Sequence, residues 1–388
     1  AIYRTRQQML SARSAALIRA VIRRSASSEM AKPGESIVDR REMHRYMVDC
    51  LTTAGAATSH ARQLADVLIE GDVRGHYSHG LNRLEMYVQN LQEGSCERSG
   101  EPKILNERAG SAWVDGCNLL GPVVGNFCID LAVKKAKEAG VGWVAAKGSN
   151  HFGIAGWYSL RAMKQGCMGL AFTNTSPLMF PTRAAKPALG TNPISVAAAG
   201  KEGDAFVLDM ATTTVAIGKV ELASRKGESV PATWGADARG LVSTDPDTIV
   251  KEGALLSLGG DERSGGYKGY GMASMVEIFC GILAGAQWGP NIRRWGSNAA
   301  VADLGQCFIA VDTSAFAPGF ADRMQEFMDT MRGLPMSAGG EPVEVAGDME
   351  KRHEELVHAL GGIPYHPNQI EFANNLAKKL GVTPPKPI

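Results

Sequence analysis

Gly140-Val-Gly142-Trp-Val-Ala145 (GVGWVA) is the stretch on which the fold class turns. It satisfies the spacing GxGxxA, but its surroundings run the wrong way. A dinucleotide fingerprint needs a strand, a tight glycine turn and then a helix whose N-terminus meets the pyrophosphate. Here the apolar spacing predicts a helix over 122–139 that ends at Gly140, a residue suited to the position just past a helix. A short apolar run, read as a strand, follows over 141–147. A second near match, Gly269-Tyr-Gly271-Met-Ala-Ser274, opens a helix but lacks the third glycine. It reads equally as a ligand approach beside Tyr267-Lys268 or as glycine packing under a buried helix. No phosphate-binding GxxxxGK loop is present. Any nicotinamide cofactor would therefore be held without a Rossmann motif.

On either side of this stretch, strands and helices mix without the strict alternation of a doubly wound sheet. Asp39 caps a helix reaching about Thr52, and Thr58 or Ser59 caps a second. A polar Gly- and His-rich turn fills 71–80, and a third helix starts near Leu81. Alternation over 103–115 predicts a hairpin, and 153–165 predicts a helix. Strands are expected at 168–173, 194–199, 206–210 and 307–311, and helices at 320–332, 348–360 and 367–380. Residues 272–286 are apolar on almost every side, which predicts a buried helix.

The chain has 388 residues, 44% hydrophobic and 21% charged, with 41 basic and 40 acidic side chains. Such composition excludes a disordered chain, and near-neutrality argues against a general nucleic-acid binder. No run approaches about 18 uninterrupted apolar residues, so no membrane span is expected. The seven cysteines are widely spaced and contain no CxxC, which points away from disulfides and zinc knuckles. Charge is uneven. Residues 1–35 carry a net +5, and the first acidic residue is Glu29. Rich in Arg, Ser and Ala, this segment has the composition of a mitochondrial presequence, or of an extension preceding an initiator at Met30. The expected location is therefore the cytoplasm or the mitochondrial matrix.

Chemistry concentrates in Arg74–Arg83 (RGHYSHGLNR) and around Gly148–Gly153 (GSNHFG). Arg83 stands four residues after His79 and would share its side of a helix. A guanidinium fork grips a carboxylate, and a nearby imidazole moves a hydroxyl proton; together these serve an oxidoreductase of 2-hydroxy acids. The plainer reading of Ser78, His79 and Arg83 is a solvated capping loop, and His76 is read as structural. His151 follows a strand and precedes glycines and a helix, a common place for chemistry; its plainer reading is a buried histidine bonded to backbone. A metal-dependent hydrolase using His76, His79 and His151 is the rival from another class. It lacks a carboxylate at ligand spacing, and no metal is expected.

Five segments in one order resemble the malate/L-lactate dehydrogenase family: RGHYSHGLNRLEMYV, GSNHFGIAGWYSLRA, TNTSPLMFPTRAAKPALGTNPISVAAAG, LDMATTTVAIGKV and GGYKGYGMASMVEIFCGILAGA. The resemblance runs from about residue 36 to 385. That family also includes ureidoglycolate and sulfolactate dehydrogenases and a cyclic ketimine reductase. The resemblance implies an α/β fold with a mixed, mostly antiparallel central sheet and flanking helices, distinct from Rossmann enzymes. It implies a helical substrate and dimer lobe from 36–115 with 320–388, a cofactor-binding sheet lobe over 116–319, and a homodimer. It implies a small 2-hydroxy acid of malate or lactate type as substrate, with malate dehydrogenase activity favoured. By motif, His151 resembles the acid/base residue, and Ser78, His79 and Arg83 the substrate-holding group. Thr175, Ser176, Asp209, Met210 and Ala211 resemble cofactor contacts, as do Asn192, Lys219, Lys268 and Gly269. NAD is the expected cofactor, although no carboxylate in 174–176 selects it over NADP. An NADPH-dependent reductase of cyclic ketimine acids and a catalytically silent paralogue acting as a binding protein stay open. Ser257 stands where the family usually has proline.

Overall fold

A computed structural model describes residues 34–294 and 300–388. The presequence expectation for 1–35 falls almost wholly outside the described residues. The chain opens with strand β1 (Ser36–Val38) and helices α1 (Arg40–Thr53), α2 (Thr58–Val73) and α3 (Leu84–Gln92). Asp39 caps α1 as expected, its carboxylate accepting from Arg41 and Glu42 N–H at 2.8 and 3.2 Å. The cap of α2 is Ala57 rather than Thr58 or Ser59, and the Ala57 N–H is spent on the Arg98 carbonyl.

The hairpin β2 (Lys103–Arg108) and β3 (Ser111–Asp115) is followed by α4 (Gly121–Ala139) and β4 (Val141–Ser149). Next come α5 (Gly156–Lys164), β5 (Met168–Thr173), β6 (Met179–Phe180), β7 (Ile194–Ala199) and β8 (Ala205–Met210). Then follow α6 (Ile217–Lys226), β9 (Gly235–Ala236), β10 (Val242–Ser243), α7 (Pro246–Lys251), β11 (Ala254–Leu256) and α8 (Gly266–Glu277). The chain closes with β12 (Leu304–Val311), α9 (Phe320–Arg332), α10 (Asp348–Leu360), β13 (Ile363–Tyr365) and α11 (Pro367–Leu380).

The large sheet runs β2-β3-β4-β12-β5-β7-β8. Only β3 and β4 pair in parallel, so the sheet is mixed and mostly antiparallel. A parallel pair requires a crossover, and α4 supplies it. This explains GVGWVA. The helix comes before the glycines, and Gly140 ends it with φ +85°. A Cβ on Gly142 would lie 1.9 Å from the Ala132 carbonyl oxygen, so this glycine lets β4 press against α4. The motif is a packing device.

Three segments differ from expectation. The helix expected from Leu81 begins at Leu84, after two 3-10 turns at Tyr77–His79 and Leu81–Arg83. There the Asp72 carboxylate takes the Leu81 N–H at 3.0 Å, and Arg83 Nε reaches back to the Ser78 carbonyl at 2.8 Å. Such side-chain bonds to backbone compete with the α ladder. The helix expected at 153–165 starts at Gly156, because Gly153 (φ +78°) turns the loop before it. Finally, α8 continues into a wider π-type turn at Ile278–Ile282 that is buried on one side only. Ala273, Val276 and Cys280 are buried, while Ile278, Ile282 and Leu283 are 54–56% exposed within the single chain.

The residue 115 boundary does not separate the sheet from the helices before it, because β2 and β3 are strands of the large sheet. Helix α9, from the C-terminal part, likewise packs on β7 and β8. At the other end, β1 pairs antiparallel with β13, joining the start of the described chain to its end. Ser257 replaces the expected proline with a hydroxyl that donates to the Gly266 carbonyl at 2.6 Å, fastening the start of α8. All seven cysteines are free thiols. Among the described residues, no helix is long and apolar enough to cross a membrane.

Candidate active site

His151 lies two residues beyond β4, in the loop leading to α5. The loop is tied down on both sides. Asn150 Nδ2 donates to the Leu119 carbonyl at 2.9 Å, and Gln306 Nε2 donates to the Asn150 carbonyl at 3.0 Å. Phe152 is buried and stacks on Tyr158 with ring centroids 4.6 Å apart. The Tyr158 hydroxyl donates to the Phe152 carbonyl at 2.6 Å. A side chain on such a loop holds its direction, which chemistry requires.

The two 3-10 turns meet this loop. The His79 ring stacks on that of His151, centroids 5.8 Å apart and planes 21° from parallel. Ser78 Oγ is 2.9 Å from His79 Nδ1, and the Arg83 bond to the Ser78 carbonyl brings the guanidinium alongside. The structure thus gathers Ser78, His79, Arg83 and His151. It adds Tyr87 of α3, which the sequence analysis did not single out. Tyr87 Oη is 2.5 Å from His151 Nδ1 and 3.3 Å from the His151 carbonyl oxygen. Its usable signal was its place one helical turn after Arg83.

Electrostatics follow from this crowding. Burial, helped by the His79 and Arg83 charges, holds the His151 imidazolium well below the ordinary histidine range. His79 is pulled down to about 4, chiefly by burial and then by Arg83 and His76. Burial also lowers the Arg83 pKa, against the attraction of Glu221 on α6. The result is a pair of neutral imidazoles beside a guanidinium. Asp72, fully buried, is raised to about 7 by desolvation, while bonds from the Tyr365 hydroxyl (2.7 Å) and the Leu81 N–H oppose the shift.

A cleft of about 60 Å³ is lined by His151, Ser176, Gln89, Asn90, Arg293 and Arg294, among others. The two arginines had no signal in sequence beyond their adjacency. Ser176 faces this cleft, and its neighbour Thr175 is fastened by the Thr191 N–H on its hydroxyl at 2.9 Å. Asn192 holds the Thr175 N–H at 3.1 Å and donates to buried Glu277 at 2.7 Å. Met210 ends β8 and Ala211 follows it. Asp209, at the end of β8, has a structural bond that the sequence analysis did not anticipate. Its Oδ2 accepts the Gly156 N–H at 2.7 Å and so satisfies the first N–H of α5. Lys219 on α6 and Lys268 on α8 are exposed and lie outside the cleft lining, as does Gly269. Helix α6 nonetheless borders the site, because Glu221 on it acts on Arg83.

The residues present suit a nicotinamide. Asn150 Oδ1 and Gln306 Oε1 are buried acceptors without a protein partner close to His151, and so would welcome an amide N–H. The metal arrangement fares otherwise. Among the described residues no group of three His, Cys, Asp or Glu side chains is placed to hold an ion, and His76 Nε2 instead faces Glu350 at 3.4 Å.

The chain is similar to known proteins over most of its length. The profile of the malate/L-lactate dehydrogenase family matches residues 38–372. A malate dehydrogenase of Pyrococcus abyssi is 36% identical over 348 residues, covering 89% of this chain and 95% of the relative. An L-sulfolactate dehydrogenase of Methanocaldococcus jannaschii is 36% identical over 312 residues, 80% of this chain and 88% of that protein. The solved malate dehydrogenase of Pyrococcus horikoshii superposes with a TM-score of 0.84 at 33% identity, covering 92% of this chain and 98% of its own. By sequence and by fold, the chain belongs to the malate/L-lactate dehydrogenase family.

Proposed function

We propose that this protein is a nicotinamide-dependent dehydrogenase of small 2-hydroxy acids, of malate or lactate type, working with NAD as a homodimer. The observation that carries the reading is the His151–His79–Arg83 constellation beside a cleft, with Tyr87 on the far nitrogen of His151. Arg83 grips the substrate carboxylate, with Ser78 and His79 orienting it. The ring hydrogen is placed on Nδ1 and donated to Tyr87 Oη, whose own hydrogen turns to the His151 carbonyl oxygen, so His151 takes the substrate's hydroxyl proton on Nε2. When bound, the nicotinamide accepts the hydride, or returns it in the reverse direction. Thr175, Ser176, Asn192, Asp209, Met210, Ala211, Lys219, Lys268 and Gly269 are the residues proposed to hold it. The two-lobe division, with a substrate-side lobe from the two chain ends and a cofactor-binding lobe over 116–319 that the β2–β3 hairpin extends at the sheet edge, is part of the same reading. The exposed apolar row of Ile278, Ile282 and Leu283 supports a dimer, since a single chain leaves it uncovered. Initial rates followed at 340 nm, on a panel of 2-hydroxy, 2-oxo and cyclic imino acids with NAD(H) and NADP(H), test the reading. Turnover of imino acids alone, or of none of the panel, overturns it.

Two further results are expected. A base that stays neutral through the physiological range should keep oxidation independent of pH over it. Because the His151 pKa is depressed, kcat/KM for oxidation holds level from pH 8 down past 6.5 and declines only in more acidic buffer. The reverse reaction needs the protonated ring and gains rate as pH falls. A midpoint at or above 6.5 in the oxidative profile contradicts the assignment. Tyr87→Phe removes the Nδ1 partner of a ring that must become positive, so kcat falls about 10- to 100-fold. The oxidative midpoint then moves further into acid, while cofactor affinity changes little. Unaltered kcat and pH profile would leave Tyr87 a packing residue.

A further inference from the structure

Glu277, the last residue of α8, carries a carboxyl group that no step above uses. It is 5% exposed, and Asn174 and Asn192 beside it are fully buried. Its Oε1 accepts from Asn174 Nδ2 at 2.9 Å and from the Gly289 N–H at 3.0 Å, and its Oε2 accepts from Asn192 Nδ2 at 2.7 Å. A buried carboxyl group is costly unless it is hydrogen-bonded, and here each of these bonds comes from a neutral N–H. Both oxygens accept, so the group works as an acceptor only.

The two asparagines pass the contact on. Asn174 follows β5, and its Oδ1 accepts the Gly305 N–H of β12 at 2.9 Å. Asn192 stands two residues before β7 at φ +32°, and its Oδ1 accepts the Thr175 N–H at 3.1 Å while its Nδ2 also reaches the Ala273 carbonyl at 3.1 Å. The wide turn at Ile278–Ile282 carries Gly281 so close that a Cβ there would lie 3.0 Å from Asn174 Nδ2. A glutamine in place of Glu277 would turn an NH2 group on one of the three donors. Asn192 could flip to receive it, but its own NH2 would then oppose the Thr175 N–H. One carboxyl group thus fixes the orientation of both asparagines and, through Asn192, the backbone at Thr175.

We propose that Glu277 is a positioning residue for cofactor binding, holding Asn192 and the Thr175 backbone in the arrangement that receives the nicotinamide cofactor. The proposal rests on the dehydrogenase reading above, in which Thr175, Ser176 and Asn192 hold that cofactor. The experiment uses the full-length protein well below the thermal midpoint of each variant. It reads the Kd of the reduced cofactor by fluorescence titration, deuterium uptake of the 174–176 backbone without cofactor, and kcat at saturating cofactor. E277Q raises Kd about 10- to 100-fold, the loss expected when hydrogen bonds to a charged group go, and speeds uptake at 174–176. Its kcat falls far less, because Asn150, Gln306 and Ser78 hold the His151 loop and Arg83 through bonds the change leaves alone. The double variant E277Q/N192D exchanges amide and carboxylate between the two positions. The new amide donates to the new carboxylate, which still accepts the Thr175 N–H, so most of the affinity and protection return, less the bond to Ala273. A role in stability alone predicts a lower thermal midpoint in E277Q with Kd and uptake unmoved, and that result overturns the proposal while leaving the dehydrogenase reading intact. Should E277Q not fold, the double variant decides: affinity and protection kept together support the proposal, and affinity kept with protection lost overturns it. An unaltered protein that binds no nicotinamide cofactor overturns both.

Discussion

Replacing His151 with alanine should lower kcat by about 10²–10⁴-fold, the contribution typical of a positioned acid/base group. The substitution removes the one ring that Tyr87 fixes at 2.5 Å and His79 covers at 5.8 Å, so no neighbour inherits the proton. His79 is the nearest candidate, but its Nδ1 is engaged with Ser78 and its pKa is held at about 4. Cofactor affinity, measured by fluorescence titration with the reduced nicotinamide, should stay within a few-fold. The loop itself should keep its shape, because Asn150, Phe152 and Gln306 hold it through groups that the substitution leaves in place. Near-native turnover in the variant would remove His151 from the mechanism.

Arg83→Ala should lower kcat/KM by about 10²–10³-fold, most of it in KM, since truncating one member of a buried charge pair typically costs 2–5 kcal/mol. Arg83→Lys should recover little: lysine brings a point charge but no fork, and it cannot reproduce the Nε bond to the Ser78 carbonyl. A second effect distinguishes a charge role from simple disruption. The Arg83 cation is among the causes that depress His151, so its removal should raise the oxidative midpoint toward neutrality. Steady-state kinetics across pH read both. Unchanged KM and kcat, or a midpoint that stays put, would contradict the role given to Arg83.

Much of this was legible in the residues, and what was not has physical causes. Helix and strand periods placed most elements of the large sheet, and the reversed order around GVGWVA excluded a Rossmann turn before the packing of Gly142 on α4 was visible. Ser78, His79, Arg83 and His151 could be picked out because their residue types are unusual in glycine-rich turns. Tyr87 could not, because a tyrosine at helical spacing looks the same whether it fills a core or steadies an imidazole. Asp209 could be named by motif, but its bond to Gly156 spans 53 positions, a distance no local pattern bridges. The turns before α3 escaped for a similar reason: Asp72 reshapes them through a bond that only tertiary structure supplies. The turn after α8 was read as core because periodicity reports apolarity, and Ile278, Ile282 and Leu283 are apolar yet exposed in the single chain.

Asp72 has one more consequence, for the order in which the protein comes into being. Its carboxylate holds the Leu81 N–H on one side and the Tyr365 hydroxyl on the other, and Tyr365 belongs to β13, paired with β1. On the ribosome, residues 72–83 emerge early and wait for a partner made almost 300 residues later. Long-range closures of this kind form slowly. The turn that carries Ser78, His79 and Arg83 is therefore completed only once β13 has been made, and a nascent chain cut short before β13 would hold Asp72 without its Tyr365 bond.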